Sequence, residues 1–463
     1  MESLVTAHSR PFFDPVFLKR LLLIAVPIAL QTMMFSSRSL VDILMVGQLS
    51  EADVAAIGIA GKAMFVSSLL ILGAMTGGSM LVAQYWGAGD RQGFREKTAL
   101  TVTLTNATAA LSAFVFWAYA DVIVGFASDN PTVIALGQDY LQIAGLSLFC
   151  LASVSGLAAG LRAMHKPGIS TFFSGVGISV NVVLNWVFIF GNLGAPELGS
   201  KGAAVATVLS GIVEVTALYA YLYHRQHLVA FSFSDWKASL TLVAVKRFLS
   251  LSLPTAFNFL MWSSGLFVYH AIIGHVNEAG LAAIAVITPV ESLSLSFLIG
   301  TANAAAVLVG NNLGAQQTDT AYHQAWQVAM FNFIAGVAIA CVMLMIQPWV
   351  LSFFPALTGE TAQITAYFYW AMCALIIVKT IPMAMIVGVL RAGGDVRYCL
   401  GQDFVAQWLI GIPVVLTAAV VFEWPVYWVY VLLGVEEVVK WVGSLIRVKS
   451  GVWLNNLVND GQG

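Results

Sequence analysis

The stretch AVPIALQTMMFSSRSLVDILMVG, residues Ala25–Gly47, carries a carboxylate, Asp42, near the end of an otherwise apolar run. The run is long enough to cross a lipid bilayer as a helix. Because an ionisable side chain inside a membrane is costly, it marks an ion or substrate path by default. Asp42 is therefore the first candidate functional residue.

The apolar character of this stretch extends over the whole 463-residue chain. Hydrophobic residues make up 59% of the sequence and charged residues 10%, and the mean hydropathy is +0.86. Apolar runs of roughly 20 or more residues recur from Leu18 to Ile446, the length that a membrane-spanning helix needs. We predict an all-α integral membrane protein with twelve transmembrane helices, surrounded by lipid and without a nucleic-acid partner.

The basic residues fall mainly in every second break between the apolar runs. Sixteen of the 21 lysines and arginines lie in these breaks, while the opposite breaks hold Lys201 alone. The sixteen are Arg10, Lys19, Arg20, Arg91, Arg95, Lys97, Arg162, Lys166, Arg225, Lys237, Lys246, Arg247, Arg391, Arg397, Arg447 and Lys449. The positive-inside rule then predicts that both termini are cytoplasmic, with the protein in the inner (cell) membrane.

The second half of the chain repeats the first. A shift of 227 residues lays Pro27 on Pro254 and Gly47 on Gly274, and it lays Gly73–Gly89 on Gly300–Gln316 without a gap. We therefore predict two parallel six-helix lobes, residues 1–230 with the start of the linker and residues 231–463. A substrate path where parallel repeats meet is a transporter architecture. The predicted linker, His224–Arg247, is basic and contains the amphipathic segment FSFSDWKASL.

Several motifs together resemble those of the multidrug and toxic compound extrusion (MATE) family over nearly the full length of the chain. They are Pro27…Val41-Asp42…Val46-Gly47, GAGD at Gly87–Asp90, LRA at Leu161–Ala163 and at Leu390–Ala392, NVVLNWVFIFG at Asn181–Gly191, and GAAVAT at Gly202–Thr207.

This resemblance implies twelve helices in two MATE-like lobes and a monomer that exports cationic or amphipathic drugs and toxic compounds. Export would be driven by inflow of protons or sodium, with no other cofactor. The family's ion-coupling and substrate site would map to Asp42, Asn181, Asn185 and Thr207, with Tyr140 nearby. The same oxygen-bearing side chains would be the ligands of a sodium ion.

The chain also departs from the family pattern. Asn185 stands where many members have an aspartate, and Trp262 stands where the NorM-like branch has a glutamate. The resemblance is therefore more DinF-like than NorM-like, and we expect protons to be the coupling ion, with sodium as the second candidate.

The chemistry of the candidate residues supports this site but leaves two alternatives open. Asn181 and Asn185 are four residues apart and share a helix face. Arg38 lies four residues before Asp42. The two residues form either a structural ion pair or a coupling site in which the Arg38 charge opposes protonation of Asp42. Pro27 removes a backbone hydrogen bond, and the resulting helix kink is either fixed or mobile during transport.

Other ionisable residues inside the predicted helices are weaker candidates. Glu291 and Lys379 could meet in the carboxy-terminal lobe or face its cavity separately. Glu436 and Lys440 are four residues apart and could neutralise each other. Glu214 could face the interior of the amino-terminal lobe.

Two other functional classes are alternatives to drug transport. A lipid or lipid-linked oligosaccharide flippase shares the duplicated plan, but a headgroup path would need more cationic residues inside the spans than this chain provides. A membrane enzyme would need clustered histidines, paired acids or a nucleophile motif, and the sequence shows none of these. We therefore predict a multidrug efflux transporter that is not an enzyme.

Overall fold

The computed structural model of the protein describes residues 14–354 and 359–458, so Arg10 and both chain termini lie outside the described residues. Eleven helices in this part of the chain are long and apolar enough to cross a membrane. Two shorter helices, Val426–Val431 and Gly434–Ser450, follow them and form the two-part twelfth helix of the fold. The predicted all-α, twelve-helix fold is thus confirmed.

The helices are numbered α1 to α12 in chain order. They are α1 Pro15–Val46, α2 Glu51–Gly87, α3 Arg91–Gly125, α4 Pro131–Ala163, α5 Pro167–Phe190, α6 Gly199–His224, α7 Leu242–Val276, α8 Glu278–Gly314, α9 Thr318–Ser352, α10 Gly359–Leu390, α11 Val396–Val421 and the two-part α12.

The short polar breaks in the sequence begin these helices. The Ser50 side chain accepts a hydrogen bond from the backbone N–H of Asp53 at the start of α2 (3.1 Å), and Asp90 accepts one from Gly93 at the start of α3 (2.8 Å). Thr241 does the same at the start of α7. These oxygens satisfy N–H groups that have no partner within the helix.

The linker between α6 and α7 is shorter than predicted. Helix α6 ends at His224 and α7 begins at Leu242, so Lys246 and Arg247 belong to the first turns of α7. The reason is the Thr241 cap, which starts a helix before the basic residues are reached. The amphipathic segment forms a short helix, Phe233–Ser239.

The short linker helix is fastened to α3 by polar contacts. Asp235 forms an ion pair with Arg95 (2.8 Å), and the Trp236 indole N–H donates to the Thr103 hydroxyl (3.0 Å). Burial alone would raise the pKa of Asp235. The hydrogen bonds from Ser232 and Gln92, together with the Arg95 charge, outweigh burial and hold the pKa of this carboxyl below its usual value.

The two six-helix halves meet along α1, α2, α7 and α8. Helix α1 packs against α8, and α2 packs against both α7 and α8. Glycines permit this approach, because a methyl group at Gly73 would overlap Ala256 and one at Gly314 would overlap the backbone of Gln84. Small residues at such contacts are typical of helix packing in membranes. We call this contact the glycine seam.

Residues 451–458, which we call the C-terminal segment, connect both halves at one end of the seam. Gln84 of α2 accepts a hydrogen bond from the backbone N–H of Leu457 (2.6 Å) and donates to the carbonyls of Asn455 (3.1 Å) and Ala392 (2.9 Å). The Asn456 amide donates to the carbonyl of Leu313 in α8 (2.8 Å). This end is the predicted cytoplasmic side.

Candidate ion-coupling and substrate site

Helix α1 runs without a break through Pro27 and packs on α5 and α8. Since proline has no N–H, the carbonyl of Leu23 receives no hydrogen bond from position 27. The Pro27 carbonyl itself accepts a hydrogen bond from the Thr171 hydroxyl of α5 (3.0 Å). Helix α1 is thus attached to α5 at the point where its own hydrogen bonding is weakest.

Asp42 lies near the other end of α1 and has two neighbours of different strength. The Asn185 amide of α5 donates to one carboxylate oxygen (2.6 Å), and Arg38 Nε lies 3.8 Å from the other oxygen. The side chains of Arg38 and Asp42 are 20% and 32% exposed. Both side chains are therefore only partly covered by the protein, while Asn185 fixes the carboxylate.

A chain of amides and a hydroxyl continues from Asp42 into the protein. The Asn185 amide also approaches Asn181 Oδ1 (3.4 Å), and the Asn181 amide approaches the Thr207 hydroxyl of α6 (3.5 Å). Asn181 and Asn185 are fully buried. The structure thus brings Asp42, Asn181, Asn185 and Thr207 together.

These side chains offer oxygens of the kind that sodium and other hard cations accept. Asn185 Oδ1 is buried without a hydrogen-bond partner in the described chain, which leaves one oxygen free for a cation. However, Asn185 presents its N–H₂ group rather than this oxygen to Asp42. One oxygen of Asp42 is thus occupied by a hydrogen-bond donor in this geometry.

Tyr140 of α4 packs next to the end of α1, together with Val46 and Ile189. It lies within electrostatic range of both Asp42 and Arg38. The residue therefore belongs to the wall of the same site.

A second group of polar side chains lies between Pro27 and Asp42 along α1. The Gln31 amide donates to the Ser174 hydroxyl of α5 (2.9 Å), which donates to Glu214 of α6 (2.7 Å). All three residues are buried. Sequence reasoning singled out Glu214 but missed Gln31 and Ser174.

In the carboxy-terminal half several acids and bases inside the helices are paired with one another. Glu291 of α8 and Lys379 of α10 form an ion pair. Lys440 of α12 lies 3.1 Å from Glu436 and 3.7 Å from Glu437, and the Tyr269 hydroxyl donates to Glu436 (2.7 Å). The two weaker candidate pairs thus exist as direct contacts, away from the Asp42 site.

The same half contains three buried polar residues that sequence reasoning did not select. The Arg391 guanidinium donates to Asn258 (2.8 Å), and the Asn258 amide donates to Asp403 (2.7 Å). Trp262 has its indole largely outside this group, at 40% exposure. The repeat register could have found Asn258, because it falls on Gln31 under the 227-residue shift.

Comparison with known proteins places this geometry in context. The model of the MatE family matches residues 27–187 and 254–417, which are the two halves in repeat register. A probable multidrug resistance protein NorM from Rhizobium meliloti (strain 1021) is 30% identical over 280 residues. That match covers 59% of this chain and 58% of the relative, under two thirds of its length.

Longer matches exist at lower identity. A probable multidrug resistance protein NorM from Bacillus subtilis (strain 168) is 25% identical over 407 residues, covering 86% of this chain and 87% of the relative. A crystal structure of MATE in complex with MaL6 superposes with a TM-score of 0.85 at 17% identity, covering 94% of this chain and 96% of that one. An outward-facing multidrug resistance MATE family transporter has a TM-score of 0.82 at 17% identity, with the same two coverages. These structural likenesses establish the fold.

Proposed function

Because the chain belongs to the MatE family, we propose that it is a secondary active multidrug efflux transporter rather than an enzyme. The substrates would be cationic or amphipathic drugs and toxic compounds. The names of the Rhizobium and Bacillus relatives, both multidrug resistance proteins, support this proposal. The small number of ionisable side chains in a chain with 59% hydrophobic residues is compatible with such substrates.

The coupling ion in this proposal is the proton, carried by Asp42. The observation that carries the proposal is a partly exposed carboxylate held by one amide at 2.6 Å. Such a group can take a proton from one side of the membrane and release it to the other if the helices change their positions. Sodium, held by the oxygens of Asp42, Asn181, Asn185 and Thr207, is the second candidate. Trp262 in place of a glutamate supports the DinF-like assignment.

Alternating access would arise from rocking of one lobe against the other across the glycine seam. In this proposal residues 1–230 form one lobe and residues 231–463 the other, and the protein works as a monomer in the inner membrane. Both chain termini would be cytoplasmic, because the basic loops lie on that side.

The test is transport in vesicles of defined ionic content. In sodium-free buffer, an imposed pH gradient should trigger efflux of a cationic dye, and expressing cells should accumulate less dye than cells with an empty vector. Strict dependence on sodium without response to the pH gradient would overturn the proton assignment. Movement of a phospholipid or polyprenyl substrate, with no effect on a broad drug panel, would favour the flippase alternative.

A further inference from the structure

The buried group formed by Gln31, Ser174 and Glu214 has a counterpart at the repeat-related place in the other half. There the Asn258 amide donates to Asp403 (2.7 Å), and Asp403 lies 3.9 Å from Lys440. Gln31 follows Pro27 by four residues, as Asn258 follows Pro254. Each half therefore joins its proline-containing helix to two neighbouring helices, one turn beyond the proline.

The two groups differ in the charge of the last member, by which we mean the residue on the helix farthest along the chain (α6 or α12). In the carboxy-terminal half this member is the Lys440 ammonium, which has the acids Asp403, Glu436 and Glu437 within 4 Å. In the amino-terminal half it is the Glu214 carboxyl. Within the described residues Glu214 forms no ion pair, and its hydrogen bond comes from the neutral Ser174 hydroxyl.

The surroundings of Glu214 make a permanent negative charge costly. The residue is 7% exposed, and Gly177 of α5 packs directly against its carboxyl. Arg38 of α1 and the Cys150 thiol of α4 interact with it electrostatically, but neither forms an ion pair with it in the described chain. An unpaired carboxylate inside a membrane is expensive, and taking up a proton removes that cost.

We propose that Glu214 is a second proton-binding site of the amino-terminal half and that Ser174 and Gln31 transmit its protonation state to α1. This inference rests on the proposed function, because it adds a second proton site to the same antiport.

The hydrogen-bonding capacity of the group supplies the mechanism. A hydroxyl donates one hydrogen and accepts up to two. When Glu214 is ionised, Ser174 donates to it and accepts from Gln31, as in the structure. A protonated Glu214 instead donates to Ser174. The Ser174 hydrogen is then free to donate to Gln31, and in this proposal the Gln31 amide turns to present its oxygen. Gln31 lies one turn beyond Pro27, so the reversal acts where α1 bends most easily.

The first experiment is infrared difference spectroscopy of purified protein between high and low pH. Replacing Glu214 by Gln keeps the shape but removes the proton site. The protonated-carboxyl band should lose one component in Glu214→Gln and a different one in Asp42→Asn. The exposed-acid control Glu423→Gln should keep both. A full set of bands in Glu214→Gln would overturn the proposal.

The second experiment measures transmission to α1. Spin labels at the exposed positions Leu23 and Leu44 lie about 32 Å apart along the helix at 1.5 Å per residue, on either side of Pro27. In an Asp42→Asn background, the distance distribution should shift with pH, and Ser174→Ala should abolish that shift while keeping the Glu214 band. A full shift in Ser174→Ala would refute transmission. Neither measurement depends on drug transport. Failure of this inference can therefore be distinguished from failure of the proposed efflux function.

Discussion

At the scale of single residues, Asp42 has one strong partner and one weak partner. Asn185 holds one oxygen at 2.6 Å, while Arg38 stands 3.8 Å from the other. At 3.8 Å the Arg38–Asp42 contact is an ion pair without a hydrogen bond. The Asn185 contact is the one that fixes the carboxylate, so we keep the coupling interpretation as the hypothesis to test first.

Asp42→Asn should abolish export driven by a pH gradient while leaving expression and folding unchanged. The amide keeps the size of the side chain but cannot carry the proton. Dye efflux from vesicles, normalised to protein content, is the measurement. Drug resistance equal to that of the unmodified protein at equal expression would contradict the coupling role.

Arg38→Ala should retain transport and shift its pH optimum upwards. Without the nearby positive charge, the carboxyl of Asp42 keeps its proton to higher pH. The pH profile of dye efflux measures this shift. Under the structural alternative the variant would instead lose thermal stability as much as Asp42→Asn does, because each leaves an unpaired charge.

The sequence was informative about this site to a limited depth. Asp42 could be selected because a lone acid is conspicuous in an apolar chain, and Asn181 and Asn185 were selected because their motif resembles that of the MATE family. Gln31 and Ser174 could not, since single amides and hydroxyls occur throughout membrane helices and their contacts join positions 143 residues apart. Their roles, like those of the selected residues, stay predictions until tested.

At the scale of helices, Pro27 divides α1 into an amino-terminal part and a longer part that carries Gln31 and Asp42. Pro27→Ala should restore the hydrogen bond to the Leu23 carbonyl and make α1 harder to bend at this point. We expect a stability gain of about 1 kcal/mol, the usual net value of one hydrogen bond, together with loss of transport. Thermal unfolding and dye efflux measure the two effects. Unchanged efflux would indicate a fixed, structural kink.

The linker helix should undock from α3 in acid. The lowered pKa of Asp235 means that its contribution to docking is complete above the usual aspartate pKa. That contribution is lost as the pH falls through the lowered pKa of the folded state. The amide protection factors of residues 225–241, which correct the exchange rates for their intrinsic pH dependence, should therefore fall at low pH. Asp235→Asn should have lower protection factors at neutral pH and show little further change in acid.

Helix positions were predictable because long apolar runs separated by short polar breaks mark the spans. Local departures from regular helix were not. Helix α10 ends in a π-helical segment, Met383–Leu390, and α11 contains another at Val405–Gly411. These segments depend on packing between distant parts of the chain, which hydropathy does not record.

At the scale of the whole molecule, the two halves share a plan but differ in their buried charges. The repeat predicted the plan, since proline, glycine and basic loops recur in constant register. The repeat itself carried no information about the buried ion pairs of the carboxy-terminal half. The spacing of Glu436 and Lys440 within one helix made their pairing a candidate interpretation, and the structure shows that pair. Whether Glu291 would meet Lys379 stayed open in the sequence, because that pair joins α8 to α10.

Gln84→Leu should let the two halves separate more readily at the end of the glycine seam that the C-terminal segment contacts. The variant leaves buried backbone groups of Ala392 and Leu457 without their partner, a loss of about 1–3 kcal/mol. Spin labels at Arg91 and Thr318, one in each half, should show a larger share of separated conformations. Glu423→Gln, in an exposed loop, is the control. An unchanged distance distribution would mean that the segment does not hold the halves together.

The glycine seam makes the contact between the halves from backbone rather than from interlocking side chains. At Gly73 and Gly314 even one added methyl group meets the opposing helix. In a drug-resistance selection from a library of all single substitutions, surviving clones should therefore keep glycine codons at these two positions. Gly58 and Gly61, whose surroundings are open, should accept alanine freely. The pattern of tolerated substitutions would then identify the contact between the halves without a structure.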